Sequence, residues 1–146
     1  MGREALDAFI QKSKIFSLLD EEGRARLARI AQEIDYPAGT VIMREGEEGD
    51  AFYCTLSGTL RVKAHDYAEN DKHVATLIGG SVFGEIAALT GEPRTATVTA
   101  QTEVKALKFE IVAVFGVLKD YPAVLAELNR LGIHRTEDLL TKVMEE

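Results

Sequence analysis

The spacing of apolar residues along the chain changes twice. Residues 5–34 have helical spacing, with apolar side chains recurring every three or four positions through "ALDAFIQKSKIFSLLD" and "EEGRARLARIAQEI". This pattern predicts two helices. Asp20 stands where the second helix would begin, with Glu21 and Glu22 in its first turn, and carboxylates there can satisfy the unpaired N–H groups of a helix start.

From Tyr36 to residue 110 the helical spacing gives way to short strand-like runs. They are separated by turn sequences such as "EGEEGD", "AENDK" and "GEP". Six runs stand out: TVIMRE, AFYCTLS, TLRVKAH, HVATLI, TATVTA and VKALKF. Short strands at this spacing predict a sandwich or a barrel, and the jelly roll is favoured because it limits exposed sheet edges.

Beyond Glu110 the helical spacing returns. It runs through "EIVAVFGVLKD" and then through "YPAVLAELNRLGIHRTEDLLTKVMEE", in which Pro122 suits a first helical turn. We therefore predict a single domain over residues 1–146. It would consist of a helical segment 1–35, a β-rich segment 36–110 and C-terminal helices over 111–146.

Charge and hydropathy narrow the classes of function. The chain has 146 residues and a formal net charge of −7, which disfavours a surface that neutralises many nucleic-acid phosphates. No apolar run is long enough to span a bilayer, and the first residues lack the apolar core of a signal peptide. We therefore expect a cytosolic protein without membrane or direct nucleic-acid contacts.

Reactive side chains are sparse. Cys54 is the only cysteine, which excludes a disulfide within the chain; its strand-like surroundings predict a small buried hydrophobe, and a reactive thiol is the alternative. The three histidines are scattered and have no metal-ligand spacing, and no Ser/His/Asp set stands out. We expect no metal site and no catalytic residues.

The stretch "FGEIAALTGEPRTATV", residues 83–98, concentrates the features that suit a phosphate ester. Gly84 lets the backbone approach a ligand closely, and the helix-prone run that follows would begin with unpaired N–H groups that favour an anion. Arg94 follows a compact turn, and its planar guanidinium can hold two phosphate oxygens. Thr95 can add a hydroxyl donor. Glu85 would repel a phosphate, so it suits a sugar hydroxyl beside it.

This order of residues resembles the phosphate-binding cassette of the cyclic-nucleotide-binding domain family. The family includes transcription regulators of the catabolite-activator type, cyclic-nucleotide-dependent kinases and cyclic-nucleotide-gated channels. The resemblance extends to "REGEEGDAFYCTLSGTLRV", through Gly46, Gly49, Asp50, Tyr53 and Gly58, and to the entry segment "IFSLLDEEGRARLARIAQEIDYPAGTVI". It covers residues 12–140, nearly the whole chain.

The resemblance implies a mainly β fold with flanking helices: an eight-stranded, jelly-roll-like β-roll with an N-terminal helical bundle and two C-terminal helices. The implied ligand is a 3′,5′-cyclic nucleotide, cAMP or cGMP, with no further cofactor. Arg94 would pair with the cyclic phosphate and Glu85 would hold the ribose 2′-hydroxyl. Gly84 and the backbone of Ile86 and Ala87 would complete the cradle.

Further positions are matched by the same resemblance. Thr95 stands where the family often has Ser, Thr or Ala, and a Thr resembles the forms that also accept guanine. Val62 and Leu77 match positions whose side chains line the base, with ordinary packing in the β-roll as an equal alternative. Arg135 and Leu139 share the apolar stripe of the last predicted helix and match a lid over the ligand. The alternative for Arg135 is a side chain that reaches water at the edge of the stripe.

The implied mechanism is regulatory: the ligand would favour closure of the last helices, which report to an attached domain, a partner or a second copy of the chain.

Two other functions remain open. One is a domain of the same fold that has lost nucleotide binding and acts through protein interactions. The other is a cupin-like enzyme, which would need clustered metal ligands. The segment after Tyr121 leaves no room for a DNA-reading helix-turn-helix. The sequence fits both a free-standing sensor and a segment of a longer protein.

Overall fold

The computed structural model of the protein describes residues 3–65, 71–133 and 139. Helices flank the β-rich part: α1 (Arg3–Lys12) and α2 (Glu21–Ile30) precede it, with a 3₁₀ turn at Phe16–Leu18 between them. The short helix α3 (Glu85–Thr90) lies within it, and α4 (Ile111–Leu118) and α5 (Pro122–Arg130) follow. Asp20 caps α2 as predicted, since its carboxylate accepts a 2.8 Å hydrogen bond from Gly23 N. Pro122 begins α5.

The described part of the β-roll contains eight strands in two antiparallel sheets of four. In chain order they are β1 Gln32–Tyr36, β2 Val41–Met43, β3 Ala51–Ser57, β4 Thr59–His65, β5 Asp71–Ile78, β6 Val82–Phe83, β7 Thr97–Ala100 and β8 Val104–Glu110. The first sheet has the order β1-β8-β3-β6 and the second has the order β2-β7-β4-β5. The predicted eight-stranded β-roll with flanking helices is thereby confirmed.

Alternation along the strands divides the core into two layers. The inner faces of both sheets meet inside the roll, where Tyr53 stacks on Phe83 with ring centroids 5.0 Å apart. The outer face of the first sheet instead packs against the helices, through Phe52 and Phe109, which stack at 4.7 Å. Because β3 is covered on both sides, its first five residues are all buried.

Two strands were not among the predicted runs. β1 replaces the end of the predicted helix: α2 ends at Ile30, Ala31 is extended, and Gln32–Tyr36 pairs with β8. The helical segment therefore ends near residue 31 and not at 35. Local helical spacing at this point is overridden by the hydrogen bonds that the edge of β8 offers. β6 has only two residues, which is too short for alternation to show.

The last predicted helix is also interrupted. α5 ends at Arg130, and Gly132 adopts a left-handed conformation with φ 75°. The N–H of Gly132 donates to Asn129 O and that of Ile133 donates to Leu128 O, both at 3.0 Å, which is the Schellman pattern of a helix end. Leu128 is buried but Leu131 is 42% exposed, so these two residues do not continue one buried stripe.

This helix end gives a stability prediction. Gly132→Ala is expected to lower the free energy of unfolding by about 1 kcal/mol, because an L residue strains at this φ. Gly116→Ala is the matched control: Gly116 lies inside α4, and a Cβ there meets no atom within 4 Å. It should be neutral or stabilising by up to about 1 kcal/mol. Urea unfolding measures both, and equal effects would contradict the assigned helix end.

Candidate ligand-binding site

Arg94 is a buried cation held by neutral groups. It is 4% exposed, and its Nη1 and Nη2 donate to the carbonyl oxygens of Gly84 and Ala51 at 2.9 and 2.7 Å. Its nearest carboxylate in the described chain is that of Asp50, 3.9 Å from Nη2, and the Asp50 side chain is 81% exposed. Burying a charge is costly unless it is paired. The guanidinium is therefore oriented and desolvated, and its hydrogen bonds go to carbonyl oxygens and to no carboxylate of the described residues.

The loop between β2 and β3, residues 44–50, fixes the backbone of Arg94. Arg94 N donates to Glu47 O at 2.7 Å, and Gly46 N donates to Arg94 O at 2.8 Å. One residue earlier, Pro93 forms a β-bridge with Glu48. These bonds satisfy both backbone groups of Arg94, so its position depends on the loop and not on the local turn alone.

Two glycines let α3 lie against this arginine. Gly84 precedes α3 in a left-handed conformation (φ 84°), and a Cβ on it would lie 2.6 Å from Arg94 Nη1. Gly49 is buried beneath the helix, where a Cβ would lie 2.5 Å from the carbonyl carbon of Ala87. The first bond of the helix runs from Ala88 N to Gly84 O at 3.1 Å. A side chain at Gly84 would displace the guanidinium, and one at Gly49 would displace α3 from the loop of residues 44–50.

A cavity of about 140 Å³ lies between α3 and the turn that follows it. Six of the predicted ligand-binding residues line it together: Gly84, Glu85, Ile86, Ala87, Arg94 and Thr95. Three further lining residues were not predicted: Met43, Glu92 and Pro93. Glu92 and Pro93 belong to the turn before Arg94, and this closeness in the chain could have identified them as lining residues from the sequence. Met43 follows an irregularity in the pairing of β2 with β7, so strand alternation does not reveal which way it faces.

Three of the other four predicted residues lie elsewhere in the described structure. Val62 and Leu77 are half-buried and pack against the inner core of the roll, outside the lining of this cavity. Leu139 is 1% exposed and belongs to the core formed with the helices. It lines a separate cleft with Glu48, Asp50, Lys108, Glu110, Ile111 and Val112. Arg135 lies outside the described residues.

A second cleft also reaches Arg94. It has a volume of about 240 Å³ and is lined by Arg94 together with Glu47, Glu48 and Asp50. Tyr53 and Lys108 also line it, and burial raises the pKa of the Tyr53 phenol to about 12, so that it stays neutral. Its charged lining residues, three carboxylates with Arg94 and Lys108, and those of the cavity beside α3, Glu85 and Glu92 with Arg94, have the same formal sum of −1.

Glu85 is a half-buried carboxylate in this cavity. Burial raises its pKa, although its own backbone N–H and the Arg94 charge act in the opposite direction. A carboxyl with a raised folded-state pKa stabilises the fold below its ordinary value of 4.5, and that contribution is lost as pH rises through the folded pKa. The folded protein therefore retains Glu85 at a cost in stability at neutral pH.

This cost can be measured. Glu85→Gln is expected to be as stable as the parent protein or more stable at neutral pH, with a smaller loss of stability as pH rises from 4.5. Glu92→Gln removes an exposed carboxylate of the same cavity and should change the pH dependence less. Urea unfolding at a series of pH values measures both. A difference between Glu85→Gln and the parent that is independent of pH would contradict the assigned cause.

Comparisons with known proteins identify the family. A family model described as "Cyclic nucleotide-binding domain" matches residues 33–121. The chain belongs to the cyclic-nucleotide-binding domain family. This range begins within β1 and ends just after α4, so it includes the whole roll, α3 and Arg94.

Among curated relatives, the chain is similar to the CRP-like cAMP-activated global transcriptional regulator of Mycobacterium tuberculosis. The identity is 31% over 133 residues, which is 89% of this chain and 58% of that protein. This chain spans 25% to 58% of the length of the first curated relatives that it matches.

Solved structures show the same fold. The N-terminal domain of a transcriptional regulator from Streptomyces coelicolor A3(2) superimposes with a TM-score of 0.69 and 27% identity, covering 88% of this chain and 92% of that one. The regulatory subunit of a cAMP-independent protein kinase A from Trypanosoma brucei gives a TM-score of 0.64 and 28% identity, covering 97% of this chain and 52% of that one.

Within the described residues, no helix is long and apolar enough to cross a membrane, and no group of His, Cys, Asp and Glu side chains is arranged to hold a metal ion.

Proposed function

We propose that the chain binds a 3′,5′-cyclic nucleotide, cAMP or cGMP, in the cavity beside α3 and acts as a regulatory module. The observation that carries the proposal is the buried Arg94 guanidinium, which is oriented by two carbonyl oxygens and lines the cavity without a buried counter-charge among the described residues. A cyclic phosphodiester carries a single negative charge, and charge-assisted hydrogen bonds to it would neutralise this cation.

The remaining cavity residues take complementary roles in this proposal. Glu85 accepts a hydrogen bond from the ribose 2′-hydroxyl, and Thr95, exposed at the mouth, reaches the phosphate or a guanine base. The backbone around Gly84, Ile86 and Ala87 encloses the phosphate side of the ligand. Met43 and Ile86 supply apolar cover, and Ile86 is 67% exposed and therefore accessible at the rim.

Calorimetric titration with cAMP and cGMP tests the proposal. We expect dissociation constants near micromolar for at least one of them, which corresponds to about −8 kcal/mol. 5′-AMP is the matched control, because it keeps the base and the ribose but presents a dianionic phosphate monoester in place of the cyclic phosphodiester. Absence of heat and of any thermal shift with either cyclic nucleotide at millimolar concentration would refute the proposal.

A second candidate function is a domain of the same fold that acts through protein contacts without binding a cyclic nucleotide. The structural similarity to a regulatory subunit of a cAMP-independent kinase favours keeping it. The presence of Gly84, Glu85, Arg94 and Thr95 around one cavity counts against it. The same titration separates the two.

The signal, in this proposal, is a population shift of the C-terminal helices toward a closed arrangement over the ligand. A ligand can shift this equilibrium only by its difference in affinity for the two arrangements. The helices would then report to an attached effector domain, a partner or a second copy of the chain. α4 already packs against α2 and α5, so a movement there would reach the N-terminal helices.

Arg135 tests the closing step. From its match to a lid position, Arg135→Ala is expected to weaken cyclic-nucleotide binding by about tenfold, less than the loss of Arg94, and by unequal factors for cAMP and cGMP. Arg130→Ala is the control, since Arg130 is an exposed side chain that pairs with Glu127 in α5. If Arg135→Ala binds both nucleotides with unchanged affinity, Arg135 is not part of the lid.

A further inference from the structure

The outer face of the second sheet lacks the helical cover of the first sheet among the described residues. We define this outer face by Arg61 and Lys63 of β4, Val74, Thr76 and Ile78 of β5, and Gln101. The inward faces of β4 and of its neighbour β7 supply Leu60, Val98 and Ala100 to the inner core. α1, α2, α4 and α5 instead contribute to the core against the first sheet.

Apolar residues stand on this outer face where polar ones are expected. A sheet with one solvated face normally alternates apolar inward and polar outward. On β5, however, Val74, which is the extra residue at an irregularity in the pairing with β4, and Ile78 are 59% and 63% exposed. They flank Thr76, which is paired with Arg61 of β4. The exposed apolar surface is therefore contiguous with a cationic position.

The outer face is also basic in an acidic protein. Arg61, Lys63, Thr76 and Gln101 line a shallow cleft of about 480 Å³. Among the side chains that the structure describes, no carboxylate lies within 4.0 Å of a charged nitrogen of Arg61 or Lys63, although the chain has a net charge of −7. Interfaces combine apolar contacts with complementary charge, which fixes orientation and partner choice.

We infer that the outer face docks an acidic protein segment in which carboxylates accompany apolar side chains. The carboxylates would meet Arg61 and Lys63 across the cleft, and the apolar side chains would cover Val74 and Ile78. A second copy apposing the same face is disfavoured, because the two cationic clefts would repel each other. A nucleic acid is disfavoured because the net charge of −7 repels a polyanion. Its phosphate backbone would also leave Val74 and Ile78 uncovered.

The test uses the whole chain and a short fluorescently labelled peptide of glutamates and leucines, followed by fluorescence anisotropy at low salt. The matched peptide has glutamine in place of every glutamate. We expect the glutamate peptide to bind at least about tenfold more tightly than the glutamine peptide, with a difference that shrinks as salt is added. Equal binding of the two peptides would overturn the inference, and so would tighter binding of a labelled single-stranded DNA.

Variants separate this face from general electrostatics. Arg61→Glu/Lys63→Glu is expected to reduce binding of the glutamate peptide at least about tenfold, and Val74→Thr/Ile78→Thr to reduce it severalfold while keeping β-forming residues. Lys12→Glu/Arg24→Glu makes the same change in net charge on exposed positions of α1 and α2. A loss as large in that control would overturn the inference. Circular dichroism verifies folding, and cyclic-nucleotide affinity, measured separately, should stay unchanged in every variant.

Discussion

Replacing Arg94 with alanine is expected to weaken cyclic-nucleotide binding by roughly 2–5 kcal/mol, a loss of about 30-fold to several thousand-fold. The guanidinium is 4% exposed, so a bound phosphate would be largely removed from water, and without the cation nothing in the described cavity would neutralise it. Calorimetric titration with the tighter of the two cyclic nucleotides measures the change.

The arginine variant needs a control for folding, because its loss leaves the carbonyl groups of Gly84 and Ala51 without their donors. Deleting a buried cation also removes its desolvation cost, so the net loss of stability is expected to be about 2 kcal/mol or less. Arg94→Lys keeps the charge but cannot reproduce the two-pronged donor, and should bind with intermediate affinity. A folded Arg94→Ala variant with the affinity of the parent would exclude the assigned phosphate contact.

Gly84→Ala is expected to produce the second largest effect, a loss of affinity of tenfold to a hundredfold, or about 1.5–3 kcal/mol. Its Cβ would lie 2.6 Å from Arg94 Nη1 and 3.4 Å from Ala51 O, so the guanidinium would have to leave its two carbonyl partners. The backbone adds strain, since φ at this position is 84°. We expect the free energy of unfolding to fall by about 1–2 kcal/mol as well.

Gly80→Ala separates the clash from the strain. Gly80 also has a positive φ of 95°, but a Cβ there meets no atom within 4 Å. It should cost similar stability and leave the affinity for cyclic nucleotides unchanged. If both glycine variants reduce affinity equally, the contact between position 84 and Arg94 does not position the guanidinium.

The strands in the middle of the roll were predictable because turn residues bound each run closely in the sequence. The runs AFYCTLS and TLRVKAH coincide with β3 and β4. Agreement was poorer where pairing over a long distance decides the structure. Gln32–Tyr36 carries a pattern that continues a helix, and it becomes β1 only because β8, more than sixty residues later, provides an edge to pair with.

The candidate site shows the same difference between residues that are close in the chain and residues that long-range pairing brings together. Gly84, Arg94 and their neighbours are close in the chain, and a turn and a short helix are enough to bring them around one cavity. Met43 comes from a distant strand with an irregular register, and no local pattern reveals that it lines the same cavity. Leu139 was predicted to cover the ligand, and in this structure it packs with the helices.

By itself the sequence determined the order helix, β-roll, helix and brought most of the residues around the cavity close together in the chain, because periodicity and short-range turn residues are local properties of a chain. Only the tertiary structure decided that Arg94 is desolvated and oriented by carbonyls from two other segments, and that Glu47, Glu48 and Asp50 line a second cleft beside it. Burial and electrostatic environment arise from residues far apart in the chain, and a pattern along one segment does not contain them.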